Sequence, residues 1–159
     1  MTDEKMHEFT YRITQASRCE LVVIMYDVIL TDIEDSKKAI GNEKYDESDK
    51  SLRHALRFLN ELMSTLDYSQ AISLDFVSLY SFCNKAMIKA MVSRKADSLD
   101  GAVMVFTGLR RSFRKLSEND DSGPEMSNAQ SVYAGLTYGK NSRENIEVEG
   151  NESNRGFLA

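Results

Sequence analysis

The chain carries a single proline, Pro124, and ahead of it run four long segments in which apolar residues recur at steps of three and four. That spacing sets side chains along one stripe of an α-helix, whereas a half-buried strand would alternate. A sandwich or barrel also needs a turn residue every ten or so positions, and 8 glycines with one proline supply too few. The pattern predicts an all-α chain. At 159 residues, with 42% hydrophobic against 28% charged residues, it has the balance of one globular domain.

The first segment runs from Ser17 to Ile40. Ser17 followed three residues later by Glu20 is a capping box, which satisfies two orphan amides at a helix start, and Gly41-Asn42 ends the run. Its apolar face is Leu21, Ile24, Met25, Val28, Ile29, Ile33 and Ile40, with Asp32, Glu34, Asp35, Lys37 and Lys38 turned to water. Tyr26, buried beside this face, is expected to anchor a neighbouring element through its hydroxyl. The second segment, from Asp46 to Asp67, sets Leu52, Ala55, Leu56, Leu59, Leu62, Met63 and Leu66 in register.

After a break at 68–70, the third segment reaches Lys95 with Ile72, Phe76, Leu79, Tyr80, Cys83, Met87, Ala90 and Met91 on its stripe; being the most apolar, it should be the most buried. Asp97 or Ser98 caps the fourth, which holds Leu99, Val103, Phe106, Leu109, Phe113 and Leu116. Helices of roughly twenty residues are ~30 Å long, and short connections turn each back on the last. The expected fold is an antiparallel up-and-down four-helix bundle with a short N-terminal arm and an irregular C-terminal tail. Met25, Met63, Met87, Met91 and Met104 should give it a soft core.

The bundle is expected over residues 1–118, of which 1–16 form the arm. Residues 119–159 form an acidic tail with five of the 8 glycines and a net charge of -4. Within it, 132–138 is a compact apolar patch, more than solubility alone asks for. Val132, Tyr133, Leu136 and Tyr138 are therefore candidates to rest in an empty apolar furrow of the bundle as a placeholder.

The charge of -5 lacks the positive excess that releases counterions from a phosphate backbone, so nucleic acid is not an expected partner. Met1 to Glu8 has neither the basic nor the apolar region of a signal peptide, and no stretch nears the ~20 apolar residues of a membrane span. Cys19 and Cys83, far apart, read as reduced thiols of a cytoplasmic protein, Cys83 in the core and Cys19 near a helix start.

Catalytic equipment is scarce. Glu4 and His7 match one Glu-x-x-His element, but a di-metal bundle needs two with further acids, so neither a metal nor another cofactor is expected. His54 reads as a boundary or surface residue, and no phosphate loop or nucleophile motif occurs. Arg110, Arg111, Arg114 and Lys115 complement the dipole at the end of the fourth helix. Such a bundle without an active site acts by presenting a groove to another helix.

The run from Thr14 resembles the opening signature of the FliS family of flagellin export chaperones, T-x-A-S-P-x-E-L followed by M-L-[YF]-[DN], through Ala16, Ser17, Glu20, Leu21, Met25, Tyr26 and Asp27. Ala55, Leu59, Leu62 and the closing Leu66-Asp67 are similar to that family's second helix, and Leu79-Tyr80-Ser81-Phe82 to its L-Y-D-Y. The likeness spans Thr14 to Leu116. Three departures stand out: Arg18 replaces a proline, Phe113 a tryptophan, and the N-terminal tyrosine has no counterpart, leaving Phe9, Tyr11 or Ile13 to substitute.

The resemblance implies a cytoplasmic chaperone, not an enzyme, that binds the C-terminal helical segment of flagellin, prevents premature polymerisation and delivers it to the flagellar export gate. The alternative is a regulatory adaptor binding another amphipathic helix, and a second copy of the chain can occupy the same furrow as a weak homodimer. Client contacts are expected on the second and third segments, at Ala55, Leu59, Leu62, Leu66, Tyr80, Met87 and Met91.

Overall fold

A computed structural model describes the backbone of residues 3–125, with side chains from His7 onward. Five helices follow in order: α1 (Asp3–Gln15), α2 (Arg18–Gly41), α3 (Tyr45–Ser64), α4 (Ile72–Ser93) and α5 (Leu99–Ser117). The last four form an up-and-down ring in which α2 packs on α3 and α5, and α4 packs on α3 and α5 across from it. No strand occurs among the described residues.

The capping box forms as the sequence predicts, with the Ser17 side chain accepting from the Glu20 amide and Glu20 accepting from the Ser17 amide at 3.1 Å. Ser98 does not cap α5; its hydroxyl instead donates to the Ala86 carbonyl at 2.9 Å and ties α5 to α4. The arm is a helix rather than a frayed strand of chain. It doubles back along α2, buries Thr14 and Ala16, and is pinned where Arg12 reaches Asp27 at 2.9 Å.

The core brings Tyr26, Ile29 and Ile33 of α2 against Leu52, Ala55, Leu59 and Leu62 of α3, Tyr80, Cys83 and Met87 of α4, and Leu99, Ala102 and Phe106 of α5. Burial pushes the Cys83 thiol up to about 12. An aromatic belt crosses it: Phe113 meets Tyr26 edge-on with centroids 5.7 Å apart and touches Phe76 at 6.0 Å. Only Met87 of the expected soft core is fully buried, while Met104 is exposed.

Polar groups on α2 find partners on two neighbours, Tyr26 on α4 and both Asp32 and Ser36 on α3. The Tyr26 and Tyr80 hydroxyls share a buried hydrogen bond of 2.6 Å, which is the anchoring role expected of Tyr26. Ser36 and Ser48 share another at 2.8 Å. Asp32, expected in water, is buried and bonded to His54 Nδ1 at 2.5 Å, so His54 is a structural partner between α2 and α3. Burial pushes the Asp32 carboxyl above its ordinary range, and His54 only partly offsets this.

Candidate functional site

The most apolar helix is not the most buried. Among the described residues, six of the ten large hydrophobic side chains that stand exposed belong to α4: Ile72, Leu74, Leu79, Phe82, Ile88 and Val92, with exposures between 37% and 80%. Tyr80, Cys83, Met87 and Ala90 form its inward stripe. The exposed residues lie on both sides of that stripe. The Phe82 ring lies against Gly101 of α5, where a built Cβ would come within 2.9 Å of it. Leu74 and Ile88, two heptads apart, and Val92 one turn further occupy the opposite side, toward α3. There α3 presents half-buried Leu56 and Met63, Leu66 follows just past its end, and α4 adds Met91.

Most of the expected contact residues are elsewhere. Ala55, Leu59, Leu62, Tyr80 and Met87 lie inside the closed bundle at 2% exposure or less. Only Leu66 and Met91 of that set reach the surface, and both are half-buried. The cause is geometric: a stripe at steps of three and four marks the face a helix buries, and in a closed bundle that face is the core. The exposed residues of α4 carry a different signal. Leu74, Ile88 and Val92 are apolar off the stripe, and a helix apolar on three sides inside a four-helix ring has more apolar surface than its neighbours can cover. Val132, Tyr133, Leu136 and Tyr138 lie outside the described residues.

A second surface lies where α1 follows the seam of α2 and α5. Asp27 there receives Arg12 of α1 at 2.9 Å and, from α5, Arg110 at 3.1 Å and Arg114 at 3.8 Å. The end of α5 thus binds a carboxylate as well as complementing its own dipole. Clefts of about 470 and 410 Å³ open on either side of Arg12. At the near end, Glu125 accepts from Arg18 and its amide donates to the Ala16 carbonyl at 3.1 Å, so residues 118–125 fold back on the start of α2. Nothing in either cleft assembles a metal: among the described residues no three His, Cys, Asp or Glu side chains converge.

The match that decides the family covers residues 3–120, which fit the model of the flagellar protein FliS. The chain belongs to the FliS family. A comparison with curated proteins gave no match. Family membership makes this a flagellar export chaperone rather than an enzyme, with flagellin and export components as its kind of partner. Two departures from the FliS pattern now have a structural setting. Arg18 stands at the first helical position, where proline is favoured for its fixed φ, and its guanidinium instead reaches Glu125 at 3.0 Å. Phe113 fills the aromatic belt against Tyr26. No helix among the described residues is long and apolar enough to cross a membrane.

Proposed function

We propose that this FliS protein binds the C-terminal helical segment of flagellin in the furrow between α3 and α4, keeps it from polymerising in the cytoplasm and delivers it to the export gate. The observation that carries this reading is the apolar excess of α4, exposed on Leu74, Ile88 and Val92 along the α3 side. An amphipathic segment laid there covers surface that the bundle leaves open, by helix-in-groove packing. Half-buried Met63 and Met91 give the furrow adaptable walls, and Leu66 and Met91 retain their place as contacts. Ala55, Leu59, Leu62, Tyr80 and Met87 act from beneath by holding the furrow's shape.

Calorimetric titration of the full chain with a flagellin C-terminal peptide tests the placement. Ile88→Ser and Val92→Ser alter exposed positions and spare the core, so thermal stability should hold. Each truncates apolar area worth on the order of 1 kcal/mol when covered, roughly a fivefold loss of affinity. Unchanged affinity in the double variant refutes the α3–α4 furrow as the client seat.

A further inference from the structure

We infer that the opposite side of α4, together with the outward face of α5, is a second docking surface, and that its occupant is an acidic amphipathic helix. On α5, Gly101, Met104, Gly108, Arg111 and Lys115 follow at steps of three and four and so share one face. On α4, Phe82, Lys85 and Lys89 do the same, with Leu79 one turn below Phe82. The two stripes are neighbours, since the Phe82 ring lies on Gly101 and the Ser98 hydroxyl bonds the Ala86 carbonyl.

The apolar middle of this surface is Leu79, Phe82 and Met104, all exposed. Lys85, Lys89, Arg111 and Lys115 frame it. All four are exposed, and none forms an ion pair among the described residues, whereas Arg12, Arg18, Lys37, Arg94 and Arg110 are each paired with an acid. The acid on the same side of α4 is Asp75, toward its start. At the ends of the α5 face stand Asp100, which Lys37 pairs, and Glu118; against these and Asp75 the four unpaired cations still leave this face positive on a chain of net charge -5. A partner with carboxylates flanking an apolar stripe is complementary to it in both charge and hydropathy.

The dimensions suit a helix. Gly101 to Lys115 spans roughly 21 Å along α5, the length of about four helical turns. Gly108 sits mid-face, and a Cβ there would meet nothing within 4 Å. Glycine inside a helix costs about 0.5–1 kcal/mol against alanine, and here it leaves a notch in which a partner backbone can come close. On α4 the seat adjoins the α3–α4 furrow, because Lys85 and Lys89 stand three residues before Ile88 and Val92 respectively; what sets it apart is its α5 half, Met104, Arg111 and Lys115, so this inference stands whether or not flagellin lies in that furrow.

The test uses the full chain and a fluorescent amphipathic peptide of about 18 residues, with leucines on one face flanked by glutamates, beside an otherwise identical peptide carrying lysines. The glutamate peptide should bind with affinity that falls as salt rises. The variants Lys85→Glu/Lys89→Glu and Arg111→Glu/Lys115→Glu should each weaken it by roughly tenfold and gain the lysine peptide. Gly108→Leu should weaken the glutamate peptide while leaving thermal stability intact. A saturating flagellin C-terminal peptide should not displace the glutamate peptide. Equal binding of both peptides, indifference to the charge reversals, displacement by the flagellin peptide, or binding to anionic phospholipid vesicles without binding to the glutamate peptide would each overturn the assignment.

Discussion

Removing one hydroxyl from the Tyr26–Tyr80 pair should cost more than removing both. The two oxygens lie 2.6 Å apart, on residues at 0% and 2% exposure, and no water can take the place of a lost partner. Burial pushes both phenols above their ordinary range, Tyr26 the further, so each stays protonated and the bond is neutral. Tyr26→Phe leaves the Tyr80 hydroxyl buried without a partner, at a cost of about 1–3 kcal/mol, and Tyr80→Phe does the same to Tyr26. The double variant keeps both rings in the belt with Phe106 and Phe113 and leaves no orphan, so its loss should be smaller than either single loss. Urea denaturation followed by circular dichroism gives the four stabilities of the cycle. Single losses under about 0.5 kcal/mol, or a double loss equal to their sum, would refute the reasoning that an orphaned hydroxyl dominates.

Burial raises the folded-state pKa of Asp32 above its ordinary 3.8, so the folded chain holds this proton more tightly than the unfolded chain does. Its stabilising contribution is full below the unfolded value and is lost as pH rises through the raised one; Asp32→Asn should flatten that decline in melting curves recorded as pH rises above the ordinary carboxyl value, and an unchanged pH slope counts against it. At the α1 seam, Arg12→Ala should cost under about 1 kcal/mol, because Arg110 still pairs with Asp27 at 3.1 Å. Asp27→Ala should cost more, since it leaves three guanidiniums facing one another; equal losses in chemical denaturation would show that Asp27 is not the centre of the cluster.

The sequence made the bundle legible because core stripes and start and stop signals are local. Ser17 and Glu20 announce α2 within four residues, and the inward stripe of each helix follows the one its spacing marks, except that Ile72, Leu79 and Leu116 of the expected stripes stand exposed. What stayed hidden depends on which neighbour a face meets. Asp32 has the charge of a solvent residue and is buried only because His54 comes from another helix to receive it. The arm's helix lies along α2, and the clefts it forms there with residues of α5 exist only once the bundle has closed. Five of the seven expected client residues turned out to be core for a related reason: periodicity reveals that a face is covered and not by what. On α3 the stripe is covered by the protein itself, whereas on α4 the informative residues are those that exceed the stripe.

That excess fits the way the bundle divides its labour between α2 and α4. Along α2, Tyr26, Asp27, Asp32 and Ser36 each bond a side chain of another helix, so successive turns are fixed to α4, to α1 and α5, and to α3. The helix is held in register by directional bonds and is the frame against which the rest packs. On α4 the polar ties sit at the start, where the buried Ser73 hydroxyl donates to the Asp67 carbonyl at 2.6 Å, at Tyr80 near the middle, and around the upper end, where Ala86 accepts from Ser98 and Arg94, just past the helix, reaches Asp49. Between them α4 is held by apolar contact, which is non-directional and tolerates a change of neighbour. A helix proposed to exchange water for partners on its exposed sides is better held this way than by bonds that would have to break. Its exposed leucine, isoleucine and valine side chains forgo some stability in the free chaperone, and the bonded frame on α2 keeps that surface from collapsing the bundle around it.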